Sequence, residues 1–406
     1  MNPKKVIVIG GGAGGFFFAI NCAQRHQNYN LTILEKGSKL LSKVRVSGGG
    51  RCNVTHACFE NSLLTKNYPR GEKELQNVFS RFSVTDTIKW FEERDVQLKT
   101  ETDGRMFPVT NNSETIVNCL VKEAENAGIQ IKLNVSVEEI IKNSDKTFTL
   151  KANGGATFEC DALMIATGGN AKATAYDWLK KLGHTINKPV PSLFTFNVPN
   201  NPITELMGVT VPQVKVRIAG TKLETIGSLL ITHWGFSGPA VLKTSAWGAR
   251  ILNELNYDYS LLISWLPKFT EEKLRIELNI QRTENPSKQI INTHLFELPK
   301  RLWEYFIKKA NIAETTRWAD LSKKQLNVLT TILIADEYKV LGKTTYKDEF
   351  VTCGGVTLKE IDLTTMQSKL VPNLFFAGEV TDVDGITGGF NFQNAWSTAW
   401  IAACNI

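Results

Sequence analysis

Val6-Ile7-Val8-Ile9-Gly10-Gly11-Gly12-Ala13-Gly14-Gly15-Phe16-Phe17-Phe18 is the stretch on which the fold turns. Its β-branched run reads as a buried strand, and Phe16 to Cys22 as a buried helix. Between them Gly10, Gly12 and Gly15 form G-x-G-x-x-G, with Gly14 inside the motif. The first glycine permits a tight turn, the second lets the main chain approach a pyrophosphate, and the third lets helix and strand pack closely. The helix then presents unpaired N–H groups and the positive end of its dipole to the phosphates. Leu31 to Leu34 is the next strand, and Glu35 follows it, placed to accept hydrogen bonds from ribose hydroxyls. A carboxylate there repels a 2′-phosphate, which selects FAD or NAD over NADP; the fingerprint alone does not separate those two. An α/β fold with a Rossmann-type parallel sheet follows.

Two further glycine clusters lie outward from this unit. Ser47-Gly48-Gly49-Gly50-Arg51-Cys52-Asn53 reads either as a close approach of backbone to cofactor, with Arg51 and Asn53 offering donors to phosphate or isoalloxazine, or as a solvated linker. Gly378-Glu379 follows the strand Leu374 to Ala377, where an acid can hold ribityl hydroxyls. Gly388-Gly389-Phe390-Asn391 then opens an apolar helix running through Gln393, Ala395, Trp396 and Ala399. That helix N-terminus can aim N–H groups at the flavin N1 and C2 carbonyl, where negative charge gathers on reduction. A capped surface helix behind a loop is the plainer alternative.

A chain of 406 residues exceeds one compact core, so two or three domains are expected. Proline density around Pro189, Pro191, Pro199 and Pro202 places a domain crossing near residue 190. Residues 1–190 with 355–406 form the expected FAD-binding domain, 191–267 with 333–354 a β-rich insert, and 268–332 a helical subdomain within it. Thr270 before Glu271-Glu272 and the Ser322/Gln325 pair read as helix N-termini. The net charge of +7 permits an anionic partner without demanding one. Seven cysteines, none in a CxxC pair, indicate reduced thiols and a cytoplasmic setting. No leader-like start, no run long enough for a membrane span and no metal-ligand spacing is found. His233, in Thr232-His-Trp-Gly-Phe-Ser-Gly-Pro239, is a candidate proton donor or a satisfied structural histidine. Cys52 is a redox thiol or an inert neighbour of the cofactor.

The serial motifs resemble one known family. They are the glycine loop, Lys43 with Ser47–Asn53, Gly104-Arg-Met-Phe-Pro108, Ala166-Thr-Gly-Gly169, Thr232–Pro239, Val351-Thr-Cys-Gly-Gly-Val356, and Phe376–Glu379 through Asp384-Gly385 to Gly388–Gln393. They are similar to the BaiN/YhiN-type flavoproteins, aminoacetone-oxidase-like NAD(P)/FAD-dependent oxidoreductases, from residue 1 to about 400. The resemblance implies non-covalent FAD, a Rossmann-type domain closed by both chain ends, and a β-barrel-like insert carrying a helical subdomain. Carried over by position, it implies FAD contacts at Ala13, Glu35, Lys36, Lys43, Arg51, Asn53, the backbone near Val137, Ala166-Thr167-Gly168, Glu379 and Gly389–Asn391. Its members are linked to steroid-like enones, small amino ketones and a uridine of large-subunit ribosomal RNA.

The leading expectation is therefore a reductase that takes hydride from NAD(P)H and passes it from flavin N5 to an activated C=C. With no second G-x-G-x-x-G, the nicotinamide must reach the flavin through the substrate cleft. One alternative is a dihydrouridine synthase acting on ribosomal RNA. In that reading residues 299–324 pair Lys300, Arg301, Lys308, Lys309, Arg317, Lys323 and Lys324 with Trp303, Tyr305, Phe306 and Trp318 to contact phosphates and stack bases. An amphipathic helix with a solvated basic face explains the same pattern. An amine oxidase releasing hydrogen peroxide and a non-enzymatic flavin sensor complete the set.

Overall fold

Val6 to Ile9 sit at the centre of a mixed sheet and are all buried, as a strand covered on both faces requires. A computed structural model describes residues 3–293, 295–344 and 351–406. The sheet runs Ile361–Asp362, Gln367–Ser368, Leu374–Phe376, Ala162–Ile165, Lys4–Ile9, Tyr29–Leu34 and Gln130–Lys132. The last five are parallel, with Val6 opposite Ala162 and Leu31, and Leu163 opposite Leu374. The late strand thus joins the first one through Ala162–Ile165, which closes this unit with both ends of the chain. Helix Ala13–Arg25 packs on the C-terminal helix Phe390–Asn405, where Phe17 lies 4.5 Å from Trp90 and 5.2 Å from Trp396 between ring centroids. Helix Val84–Glu92 starts at a Ser83/Asp86 capping box.

The chain divides into two compact units, Met1–Ser192 with Tyr346–Ile406 and Leu193–Thr345. Residues 351–354, which the sequence placed with the insert, belong to the first unit, because Val351–Val356 pairs antiparallel with Ile186–Ser192. That pairing brings outgoing and returning chain together.

In the second unit one run of chain both begins and ends the sheet. Asp336–Leu341 pairs with Asp258–Ser264; beyond Gly342, Lys343–Thr344 pairs with Thr195–Asn197. Between these edges the order is Thr210–Ile218, Glu224–Thr232 and Gly235–Ser237. Gly342 joins them, its N–H donating to Tyr257 O (2.8 Å) and its carbonyl accepting from Asn197 N–H (3.4 Å). Its φ of +85° suits glycine, and the sheet closes on itself as a barrel. Helices Glu271–Glu284, Lys300–Lys309 and Lys323–Ala335 lie between two barrel strands and share one apolar core with them. Thr270 and Ser322 cap the first and third.

This packing corrects the base-stacking reading of residues 299–324. Trp303, Phe306 and Trp318 are completely buried, and the Trp303 and Trp318 indole N–H groups donate to Ile290 O and Thr293 Oγ1. Lys300, Arg301 and Lys308 lie on the exposed side of helix Lys300–Lys309, where Lys300 pairs with Glu304 and Lys308 with Glu314; Lys309 instead turns inward to buried Asp336 (2.5 Å), and Arg317, beyond the helix, pairs with Asp320. Periodicity had placed aromatic and basic side chains close in sequence; the helix turns them to opposite faces.

Candidate functional site

The first strand-to-helix turn is built by what a side chain would strike. A Cβ on Gly10 would stand 2.4 Å from Ala166 O, and one on Gly15 2.0 Å from Gly10 O. Gly10 also holds φ +113°. At Gly12 nothing lies within 4 Å of that position, and no side chain caps helix Ala13–Arg25. Two glycines are thus required by the protein itself, and the third faces open space at a free helix N-terminus, the geometry an anionic pyrophosphate needs. Glu35 stands beside the turn, accepting from Gly11 N–H and Gly37 N–H, both at 2.7 Å. Two donated bonds fix its orientation and leave lone pairs for a ribose. Val135 N–H donates to Glu35 O, which brings the segment leading into Val137 against the same strand end, while Lys36 is exposed.

The second cluster is no linker. Helix Ser42–Gly50 breaks at Ser47 (ψ 148°), and Gly48, Gly49 and Gly50 take φ of +59°, +70° and +82°. Gly48 fits under Phe107, 2.8 Å from its would-be Cβ, whereas Gly49 and Gly50 face open space. A left-handed run with an open side is a backbone concavity suited to a cofactor. Arg51 donates from Nε back to Gly48 O (3.3 Å) and pairs through Nη1 with Glu101 (2.6 Å), its guanidinium 3.9 Å from the Phe107 ring centroid. Asn53 is buried; in the amide orientation that satisfies both ends it donates to Thr55 O and Met106 O and accepts from Gly389 N–H. Its amide is therefore committed to protein groups. Cys52 is buried and its thiol is pushed up to about 12 by that burial. A thiol reagent at pH 8 is expected to label the partly exposed Cys58 and Cys404 and to spare Cys52. Peptide mapping after labelling checks this; modified Cys52 would show that the cluster opens.

Opposite these turns, Gly389 (φ +94°) precedes helix Phe390–Asn405, which no side chain caps at Gly389. Gly378 (φ +70°) donates its N–H to Thr398 Oγ1, and Gly388 holds φ +130°. Asn391 folds the preceding loop by accepting from Gly385 N–H and donating to Gly385 O. Glu379 accepts from Thr352 N–H (2.7 Å) and pairs with Lys43 at 2.7 Å, beside Gly168 and Gly169. Ala166 anchors the neighbouring turn through Ile9 O, leaving Thr167 exposed. The structure thus gathers the three glycine clusters, Glu35, Lys43, Ala166–Gly168 and Glu379 within the first unit.

His233 lies in the second unit, exposed on a tight turn, its ring 4.3 Å from Trp234, whose indole donates to Thr195 Oγ1. Sequence reasoning missed His56, whose Nδ1 meets Gly388 O at 3.0 Å while the ring stacks on Phe390. The signal was present in two polar residues, Thr55 and His56, directly after the Ser47–Asn53 cluster. Among the described residues no group of His, Cys, Asp and Glu has the arrangement of a metal site, and no helix is long and apolar enough to cross a membrane.

Residues 4–405 match the family described as HI0933-like protein Rossmann domain. The chain belongs to that family. It is 33% identical to the ribosomal RNA dihydrouridine synthase of Escherichia coli K12, over 99% of this chain and 98% of that one. It is 26% identical to the 3-dehydro-bile acid delta(4,6)-reductase of Clostridium scindens, over 98% of each. Among solved structures it resembles the 3-ketosteroid delta1-dehydrogenase of Sterolibacterium denitrificans, with a TM-score of 0.52 at 12% identity, covering 100% of this chain and 99% of that one. The chain is an FAD-dependent oxidoreductase, and FAD is the dinucleotide that the fingerprint alone had left open.

Proposed function

We propose that the protein reduces a C=C bond conjugated to a carbonyl. When bound, FAD supplies the chemistry, taking hydride from NAD(P)H and delivering it from N5 to the double bond. The observation that carries the placement of the cofactor is the open side at Gly12, Gly49 and Gly50, three positions where the protein leaves room beside its own backbone. Gly12 and the first turn of helix Ala13–Arg25 bind the pyrophosphate, Glu35 the adenosine ribose, and Glu379 with Lys43 the ribityl chain. The first turn of helix Phe390–Asn405 directs its N–H groups at the pyrimidine edge of the flavin, where they stabilise negative charge. The reaction class is supported by the names of two full-length relatives, since a bile acid delta(4,6)-reductase and a dihydrouridine synthase both saturate a C=C conjugated to a carbonyl.

A second reading is favoured by the two relatives named ribosomal RNA dihydrouridine synthase, at 33% and 32% identity over nearly the whole chain, and by the net charge of +7. There the double bond is that of a uridine, and the exposed basic faces hold phosphates without aromatic stacking from Trp303, Phe306 or Trp318. Anaerobic enzyme is reduced with NADPH or NADH, then mixed with undermodified ribosomal RNA or with a small enone. Reoxidation by RNA with gain of dihydrouridine, weakening steeply with salt, selects the RNA reading; reoxidation by the enone alone selects a small substrate. Failure of both acceptors, with rapid hydrogen peroxide formation from an amine, would overturn the proposal.

A further inference from the structure

Four consecutive residues, Asn53 to His56, each bond either the first two turns of the C-terminal helix or the glycines that lead into it. The Asn53 amide accepts from Gly389 N–H at 3.0 Å. Val54 O accepts from Trp396 Nε1–H at 3.0 Å, Thr55 Oγ1 donates to Gln393 Oε1 at 2.6 Å, and His56 Nδ1 meets Gly388 O at 3.0 Å. The backbones touch as well, since a Cβ on Gly389 would stand 2.5 Å from Thr55 O. The segment follows directly from the left-handed glycines 48–50, so one short run of chain connects the two glycine clusters.

Gln393 is the centre of this contact and is completely buried. The direction of its bonds follows from the outside inward. Ser397 Oγ gives its proton to Phe82 O (2.7 Å), so it accepts from the Gln393 amide NH₂ (3.0 Å), which turns Oε1 toward Thr55. Thr87 Oγ1 stands 3.0 Å from the same oxygen. An amide satisfied in this way has nothing left for a ligand; what it does is fix the helix. Such buried networks are worth most when every member is paired, and removing one donor leaves the amide oxygen under-satisfied in a dry interior.

We infer that Thr55 and Gln393 are positioning residues for the flavin. By locking the first turn of Phe390–Asn405 against the 48–50 glycines, they hold the helix N-terminus where it favours the reduced, negatively charged cofactor. This rests on the placement of the flavin pyrimidine edge proposed above. The test is potentiometry of the FAD-loaded enzyme. Thr55→Val keeps the shape and removes the hydroxyl; the preference for reduced over oxidised flavin is expected to fall about tenfold, ~30 mV in midpoint potential for a two-electron couple. Thr55→Ser is expected to restore it. A Thr55→Val enzyme of lower melting temperature but wild-type potential would make the contact merely structural and overturn the inference. If Thr55→Val does not fold, Thr87→Val removes the second donor and is judged by the same two outcomes. Asn53→Ala separates the levels. If it shifts the potential and the threonine variants do not, only the Thr55–Gln393 role fails. If none of the three shifts it, the flavin does not face this helix, and inference and placement fall together.

Discussion

Gly12→Val is expected to give a folded protein that purifies without FAD. The backbone at Gly12 has φ −95° and ψ −169°, which valine adopts without strain, and a Cβ there meets no protein atom within 4 Å. As an N-cap, valine is poorer than glycine by roughly 1 kcal/mol or less, a small loss for a helix held by its buried face. The added methyl groups point into the open space that we propose for the pyrophosphate beside the helix terminus. Affinity for FAD should fall at least a hundredfold, about 2.7 kcal/mol. Gly15→Ala is the contrasting change. Its Cβ would stand 2.0 Å from Gly10 O, so one methyl group must push helix from strand; misfolding is expected rather than a colourless fold. Circular dichroism and flavin absorbance on both proteins distinguish the cases. A Gly12→Val enzyme that keeps FAD at wild-type affinity would remove the pyrophosphate from this turn.

The contrast between those glycines shows which parts of the site were legible in the amino-acid order. The first strand, the glycine loop, the helix and Glu35 lie within about thirty residues, and their meaning is set by local geometry that spacing reports directly. Asn53 was read as a donor to the cofactor because its neighbours are glycine and arginine; its actual partners include Gly389, more than three hundred residues away, which no local pattern displays. Arg51 was read in the same way and pairs with Glu101. Closure of the insert depends on Gly342 meeting both Tyr257 and Asn197, again a contact set by topology rather than by sequence. Trp303, Phe306 and Trp318 mark the opposite error. Basic and aromatic residues alternate in the chain, but at helical spacing large apolar side chains gather on the face that meets the core. The fingerprint bounded the cofactor to a dinucleotide without a 2′-phosphate; choosing FAD took the whole serial set of motifs.

Arg70→Met is expected to be strongly destabilising at neutral pH, and the loss should shrink in acid. Asp384 is completely buried, and its carboxylate accepts from Arg70 Nε (2.5 Å), from Arg70 Nη2 and from Ser192 Oγ (2.8 Å). Ser192 is the last residue before the chain enters the second unit, and Gly385, next to Asp384, is bonded twice by Asn391 in helix Phe390–Asn405. Burial raises the Asp384 carboxyl to about 6 although Arg70 and Ser192 pull it down. Without the guanidinium that pull is lost, and the carboxyl titrates higher still. An unfolded aspartate titrates near 3.9, so the folded variant binds more protons than the unfolded chain throughout the interval between. Its stability is therefore fullest below about pH 4 and falls as pH rises through the folded value. At pH 8 a buried carboxylate left without its partner should cost about 3–5 kcal/mol against wild type. At pH 5, where the carboxyl is protonated in both proteins, the gap should be smaller by up to about 2.7 kcal/mol, the two pH units of titration above the wild-type value. Urea midpoints of both proteins at the two pH values measure the gap, and Arg70→Met with Asp384→Asn should remove its pH dependence. A gap equal at pH 5 and pH 8 would mean that Arg70 acts by packing alone, and that the charge of Asp384 has no part in tying the domain crossing to the loop before the helix.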